Sequence, residues 1–263
     1  MYRFNYHLAK SIEDAVSRLQ QDEEAKVIAG GMTLLPTMKM RLAAPSELVD
    51  LGQIEAMREI KLDDSGVTIG ATVKHAEVAA HAGIAAAIPA LSTLANGIGD
   101  AQVRNRGTIG GSIANNDPAA DYPAAVVALD ATVVTDQREV PGEVFFTDMF
   151  ETALSDHEVI TAVKFRQPDF ACYQKFPNPA SRYAIVGVFV ARFGQTVRVA
   201  VTGAAPCVFS VSAAESALEK AFHTDSMIDL VCPADDLNED MHASAEYRAH
   251  LVSVLTRRAV ADN

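Results

Sequence analysis

Tryptophan is absent from this chain of 263 residues, and cysteine occurs only three times. Cys172, Cys207 and Cys232 are odd in number and widely spaced, so they form neither a disulfide framework nor a C-x-x-C redox pair. An iron–sulfur cluster held by one chain ordinarily takes four thiolates, and none is expected here. The three thiols read instead as small hydrophobes in strands and loops. The seven histidines are scattered, with no H-E-x-x-H pair, and give no metal site. Basic residues are scarce, 22 against 34 acidic ones, for a net charge of −12. That field repels phosphate backbones and argues against nucleic acid as a partner. It does not exclude a small phosphorylated ligand, which local backbone dipoles can hold. No run reaches the ~18 consecutive apolar residues of a membrane span. The opening MYRFNYHLAKSIEDAV lacks an apolar signal core, and the cytoplasm is the expected location. Also missing are a dinucleotide fingerprint, a P-loop lysine, a Ser-His-Asp arrangement and paired carboxylates at diagnostic spacing. If the chain is part of an enzyme, the hard chemistry belongs to a cofactor.

What is present is a large apolar fraction, 49%, enough for one large or two modest domains. Ser11 is placed to cap a helix with Ile12, Ala15, Val16 and Leu19 on one face. AKVIAGG reads as a buried strand ending on Gly30 and Gly31, and Thr33 as the cap of a helix LLPTMKMRL. ELVDLG is another strand, so the opening is a β/α arrangement. EIKLDDSGVTIGA is a hairpin, and KHAEVAAHA and AAIPALSTLANGIG are Ala-rich helices. PAADYPAAVVALDA reads as a short helix with Pro118 near its start, and residues 132–166 favour strands. Beyond Gln167 lie a hairpin turning at Gly194-Gln195 and two helices, the second with Tyr247, Leu251, Val254 and Leu255 at helical spacing. A domain boundary is expected at about 167, dividing 1–167 (lobes of about 1–55 and 56–167) from 168–263.

Seven of the fifteen glycines lie at Gly30–Gly31 and between Gly97 and Gly111. A run of such residues can turn successive N–H groups into one concavity, an anion nest suited to a diphosphate. AGGMT, before a helix N-terminus, and TIGGS are therefore read as two phosphate clamps. On this reading Gly110→Val abolishes ligand retention and spares most of the fold, because a β-branched residue blocks positive φ. Either stretch alone is more often a turn. Asp121 can accept hydrogen bonds from sugar hydroxyls, or simply sit at a helix N-terminus. Arg104 and Arg106 can support the second loop or meet a phosphate. Lys175, Arg182 and Tyr183 surround a polar loop, where a cation and an aromatic can serve a reduced ring. Tyr183 reads equally as the half-buried start of a strand.

The chain resembles the FAD-binding medium subunits of the molybdenum hydroxylases, the group of aerobic carbon monoxide dehydrogenases and xanthine dehydrogenases. The resemblance rests on IAGGMTLLPTMKMRLAAPSELVDL, TIGATVKHAEVA, IGDAQVRNRGTIGGSIANNDPAADYPAAVVALDA, SRYAIVGV and ASAEYRAHLVSVLTRRA, which span almost the whole chain. It implies an α+β fold: a two-lobed vanillyl-alcohol-oxidase-like FAD-binding domain, then a C-terminal α+β domain with a small antiparallel sheet and helices. It implies FAD as cofactor, its diphosphate clamped by Ala29, Gly30, Gly31, Met32 and Thr33 and by Thr108, Ile109, Gly110, Gly111 and Ser112. The segment from Lys26 lines the same site. Ile98 matches a flavin-contacting position, Asp121 a FAD-contacting acid, Ile160 and Lys175 contacts from later strands, and Tyr183 an aromatic near the isoalloxazine. Close relatives often read A-G-G-H-S where this chain reads A-G-G-M-T. The backbone donors survive that change, and the imidazole is replaced by a thioether that donates no hydrogen bond. The implied partners are a molybdopterin-containing large subunit, a [2Fe–2S] small subunit and an external electron acceptor. A stand-alone flavin oxidoreductase needs a general base beside the ring, for which His75 and His157 are the candidates. A flavin-free assembly subunit is the third reading.

Overall fold

The first fifty residues build a small parallel sheet. In a computed structural model that describes residues 1–261, β1 (Asn5–Leu8) pairs with β3 (Glu47–Asp50), and β3 with β2 (Lys26–Ile28), all in parallel. The helix Ile12–Gln21 starts as its sequence dictates: the Asp14 N–H donates to Ser11 Oγ at 3.2 Å, and Ala15 and Leu19 are buried. The helix after the first glycine pair is shorter than expected, Leu34–Lys39 rather than through Leu42. Arg41 ends that turn with φ 61°, and Thr33 makes no side-chain cap.

The second lobe is an antiparallel sheet of five strands: β4 (Ile60–Asp63), β5 (Gly66–Gly70), β6 (Thr132–Thr135), β7 (Glu139–Pro141) and β10 (Ile160–Arg166). Their order is β4-β5-β10-β6-β7, with β8 (Phe146–Asp148) and β9 (Glu151–Thr152) forming a separate hairpin. The Ala-rich segment folds as three helices, His75–Ala80, Ala82–Ala87 and Pro89–Asn96, rather than two. His81 divides the first two, its Nδ1 accepting from the Ile84 N–H at 3.3 Å. The next expected helix begins later than its prolines suggest. It spans Tyr122–Ala128 with Pro123 in its first turn, and Pro118 lies outside it. Every residue of that helix is buried.

The C-terminal sheet runs β11 (Phe170–Pro177), β12 (Ala184–Phe193), β13 (Thr196–Thr202) and β14 (Phe209–Ser210), in that order and antiparallel. β12 is apolar on both faces because both are covered, as continuous hydrophobic runs generally are. Val186, Val188 and Val190 pack in the core under the helices Ser212–Lys220 and Ala245–Ala261. Phe189, Ala191 and Phe193 alternate to the other face and join the core of the first 167 residues. In the last helix the buried stripe contains Leu251, Val252, Leu255 and Ala259, and Tyr247 is exposed. Asp262 and Asn263, the last residues of the expected C-terminal unit, lie outside the described residues. No helix among the described residues is long and apolar enough to cross a membrane.

Candidate functional site

A cleft of about 1020 Å³ opens where the parallel sheet, the five-stranded sheet and the 178–183 turn face one another. Its volume is at the upper end of the roughly 300–1,000 Å³ found for small-molecule and cofactor sites. Of the residues expected in the site, all line it except Ile109 and Lys175. Ile109 is wholly buried in the core.

The first loop carries the free donors. Among the described residues, the N–H groups of Gly30, Gly31, Met32 and Thr33 make no hydrogen bond within the protein. Gly31 holds φ at 71°, a conformation in which the loop can curl without a Cβ penalty. The row ends at the helix Leu34–Lys39, and all four residues line the cleft. Gly30 brings the second loop to it. A Cβ on Gly30 would strike the Arg106 carbonyl and lie 2.8 Å from Gly107 Cα. The two glycine stretches are thus one continuous wall.

The second loop differs from the expected nest. Its amides are committed: Ile109 N–H donates to Val73 O (3.1 Å), Gly110 N–H to Ala71 O (2.9 Å) and Gly111 N–H to Thr108 Oγ1 (3.2 Å). Ser112 N–H donates to Thr108 O at 3.0 Å. TIGGS is a capped helix start, Ile109–Asn115, sewn to the segment after β5. Gly110 serves close packing, not positive φ: a Cβ there would sit 2.5 Å from Ala71 Cβ and 2.7 Å from Ala71 O. What this loop offers a ligand is the Thr108 and Ser112 side chains and the Gly111 surface. Arg104 supports the neighbouring turn, donating from Nη1 to Ile98 O (3.0 Å) and Gly99 O (3.1 Å).

Asp121 is 4% exposed and stands at the N-cap position of the helix Tyr122–Ala128 without capping it. Its carboxylate is instead bound by Lys175 Nζ, 2.8 Å from Oδ1, and by the Tyr173 hydroxyl. Burial pushes the Asp121 carboxyl up, and the Lys175 ammonium opposes that push. Lys175 is on β11, a later strand as the resemblance implied, and also donates to Gly97 O at 3.2 Å. It fixes the cleft wall from behind Asp121. Tyr173 was missed by sequence reasoning, although its place two residues before Lys175 in a strand puts both on one face. Ile160 starts β10, and the preceding residues fold around Glu158. That carboxylate takes bonds from Arg138 Nε (3.0 Å), Thr135 Oγ1 (2.7 Å) and Ser155 N–H (2.8 Å). At the mouth, Tyr183 is 48% exposed beside Arg182, whose φ is 63° and whose Nη1 reaches Gly99 O at 3.4 Å.

The cleft combines a row of free amides, neighbouring hydroxyls, apolar Ile98 and Ile160 and an exposed aromatic, a lining with the chemistry a dinucleotide-type cofactor needs. The residues fit a diphosphate flanked by two ring systems. Residues 2–167 match the family described as the FAD binding domain in molybdopterin dehydrogenase, and residues 171–262 the CO dehydrogenase flavoprotein C-terminal domain. The chain belongs to this FAD-binding flavoprotein family. It is 36% identical to the carbon monoxide dehydrogenase medium chain of Hydrogenophaga pseudoflava, over 98% of this chain and 96% of that one. It is 33% identical to the nicotine 6-hydroxylase medium subunit of Paenarthrobacter nicotinovorans, with 98% and 96% covered. A chain of a reconstituted CO dehydrogenase from Oligotropha carboxidovorans superposes with a TM-score of 0.91 at 31% identity, covering 98% of this chain and 96% of that one.

Proposed function

We propose that this chain is the electron-transfer FAD subunit of a molybdenum hydroxylase complex. A molybdopterin-bearing large subunit and a [2Fe–2S] subunit would be its partners, and an external acceptor would take the electrons. The observation that carries this reading is the row of unpaired amides from Gly30 to Thr33, pressed against the second loop in a cleft sized for a dinucleotide. FAD supplies the redox centre when bound. The protein's part is to seat and orient it. The amides of Gly30–Thr33 would hold the diphosphate. Thr108 and Ser112 would add hydroxyl donors from the adjoining loop. Ile98 and Ile160 would give the rings apolar surface, and the Asp121–Lys175 pair would hold the cleft wall in place.

Two relatives of similar identity are named for carbon monoxide and for nicotine, so substrate choice belongs to the partner polypeptide. The test is purification with bound partners, then flavin, iron and molybdenum analysis. Stoichiometric FAD together with iron and molybdenum in one complex is expected. Reduction of the bound flavin by a small metabolite in the purified single chain would favour a stand-alone oxidoreductase. A colourless chain that rejects added FAD would favour an assembly role.

A further inference from the structure

His75 opens the helix His75–Ala80 and is only 5% exposed, yet it lines the cleft. Its backbone N–H donates to Gly107 O at 3.0 Å, which ties it to the second glycine loop. A Cβ on Gly107 would lie 2.6 Å from His75 Nε2, so the imidazole edge rests against bare backbone. Gly107 is also the residue against which Gly30 packs. The ring therefore lies where the two loops meet.

Among the described residues, no group bonds His75 Nδ1. The hydroxyl of Tyr122 is equally buried and unpartnered, and its ring centroid is 5.4 Å from that of His75. Unmet buried polar atoms are rare and usually mark a bound group or a functional role. Burial first, and the Arg104 charge second, hold the imidazole pKa down to about 4. At neutral pH the ring thus has one N–H donor and one lone pair. Burial and the neighbouring Asp121 charge push the Tyr122 phenol up, so its O–H stays a donor. The Tyr122 O–H and His75 Nδ1 are not bonded to each other, so a water between them would donate to the Nδ1 lone pair and leave the proton on Nε2.

We propose that His75 is a cofactor-binding residue, donating its Nε2–H to a phosphate oxygen of the diphosphate seated at the junction of the two glycine loops. Tyr122 is its positioning residue, setting the tautomer at Nδ1 through one buried water. The proposal rests on the reading of the cleft as a FAD site and adds a side-chain donor to a wall whose second-loop amides are already spent.

The experiment uses the full chain freed of flavin, with wild type, His75→Leu and Tyr122→Phe compared. Affinities for FAD, ADP and riboflavin are measured by calorimetry, the thermal midpoint of each apoprotein is recorded, and the His75 ring nitrogens are followed by 15N NMR in the wild type. In His75→Leu, FAD and ADP are expected to bind about tenfold or more weakly, as loss of a hydrogen bond to a charged group implies. Riboflavin, which lacks phosphate, should bind unchanged. The wild-type Nε2 resonance should move on adding ADP, a readout independent of any variant's folding, and Tyr122→Phe should shift the tautomer balance. Unchanged FAD and ADP affinity in His75→Leu, with an unmoved resonance, would overturn the proposal and leave a buried water as the partner of the ring. A wild type that binds neither FAD nor ADP would overturn the reading of the cleft as well.

Discussion

Lys175 Nζ lies 2.8 Å and 3.0 Å from the two carboxylate oxygens of Asp121, joining β11 to the start of the helix Tyr122–Ala128. The side chains are 11% and 4% exposed, so the pair bridges the C-terminal sheet and the FAD-binding lobes out of solvent. A buried pair is weak evidence of net stabilisation, but removing one partner strands the other.

Lys175→Met is therefore expected to cost about 3–5 kcal/mol of unfolding free energy at pH 8. Its cost has a sign in pH. Burial already raises the Asp121 pKa above 3.8, and without the ammonium it rises further. The folded state then binds a proton the unfolded state releases, so stability falls as pH rises above the unfolded value. Denaturant melts of Lys175→Met should show a smaller deficit at pH 5 than at pH 8. Equal deficits at both would mean the carboxylate is not stranded. The Asp121→Asn, Lys175→Met double variant should lose less than the two singles added together.

Gly30→Ala tests the joining of the loops. The added methyl would press on the Arg106 carbonyl and sit 2.8 Å from Gly107 Cα, so backbone must shift. Overpacking of this kind costs about 1–3 kcal/mol. We expect a modest fall in thermal midpoint and a loss of FAD affinity of about tenfold or more, read by quenching of free-flavin fluorescence. Wild-type affinity would show that the loops act independently.

The fold was legible where hydrophobic period and punctuation act locally. Ser11, the Asp-Asp-Ser-Gly hairpin and the Gly194-Gln195 turn each lie where their own chemistry places them. β11 was not legible from residue pattern, only from the resemblance that put Lys175 on a later strand: FACYQKFP carries Gln, Lys and Pro, and Lys175 is tolerated because Asp121 arrives from another element. The cleft's membership was readable from family-like segments, but the division of labour in it was not. Whether Gly110 N–H faces a ligand or Ala71 O depends on how closely the helix Ile109–Asn115 approaches the segment after β5, a tertiary fact. Likewise nothing near Gly30 in the chain announces Gly107 as its neighbour.

Gly110→Val follows from that correction. The methyls would enter the space of Ala71, including its backbone, with no flexible neighbour to yield. The expected result is a destabilised or insoluble chain, not a folded chain without flavin. Ser112→Ala is the gentler probe of the same wall. Ser112 lines the cleft, and losing its hydroxyl should weaken FAD binding a fewfold with an unchanged melting curve. A folded, colourless Gly110→Val protein would refute the packing role assigned to this glycine.

Glu158 governs behaviour in acid. Its side chain is fully buried, and the bonds from Arg138 foremost, with Ser155 N–H and Thr135 Oγ1, hold its pKa down to about 2 from 4.5. A depressed carboxylate stabilises the folded state fully above its unfolded pKa and loses that contribution as pH falls toward the folded one. The thermal midpoint of the wild type should therefore drop steeply between pH 5 and pH 2. Glu158→Gln should start lower at pH 7 and vary less across that window. Because residues 153–160 fold around this carboxylate and end at Ile160 in the cleft, bound FAD should be released at a higher pH in Glu158→Gln than in wild type. Parallel midpoint curves for the two proteins would show that this ion pair contributes nothing to the acid limb.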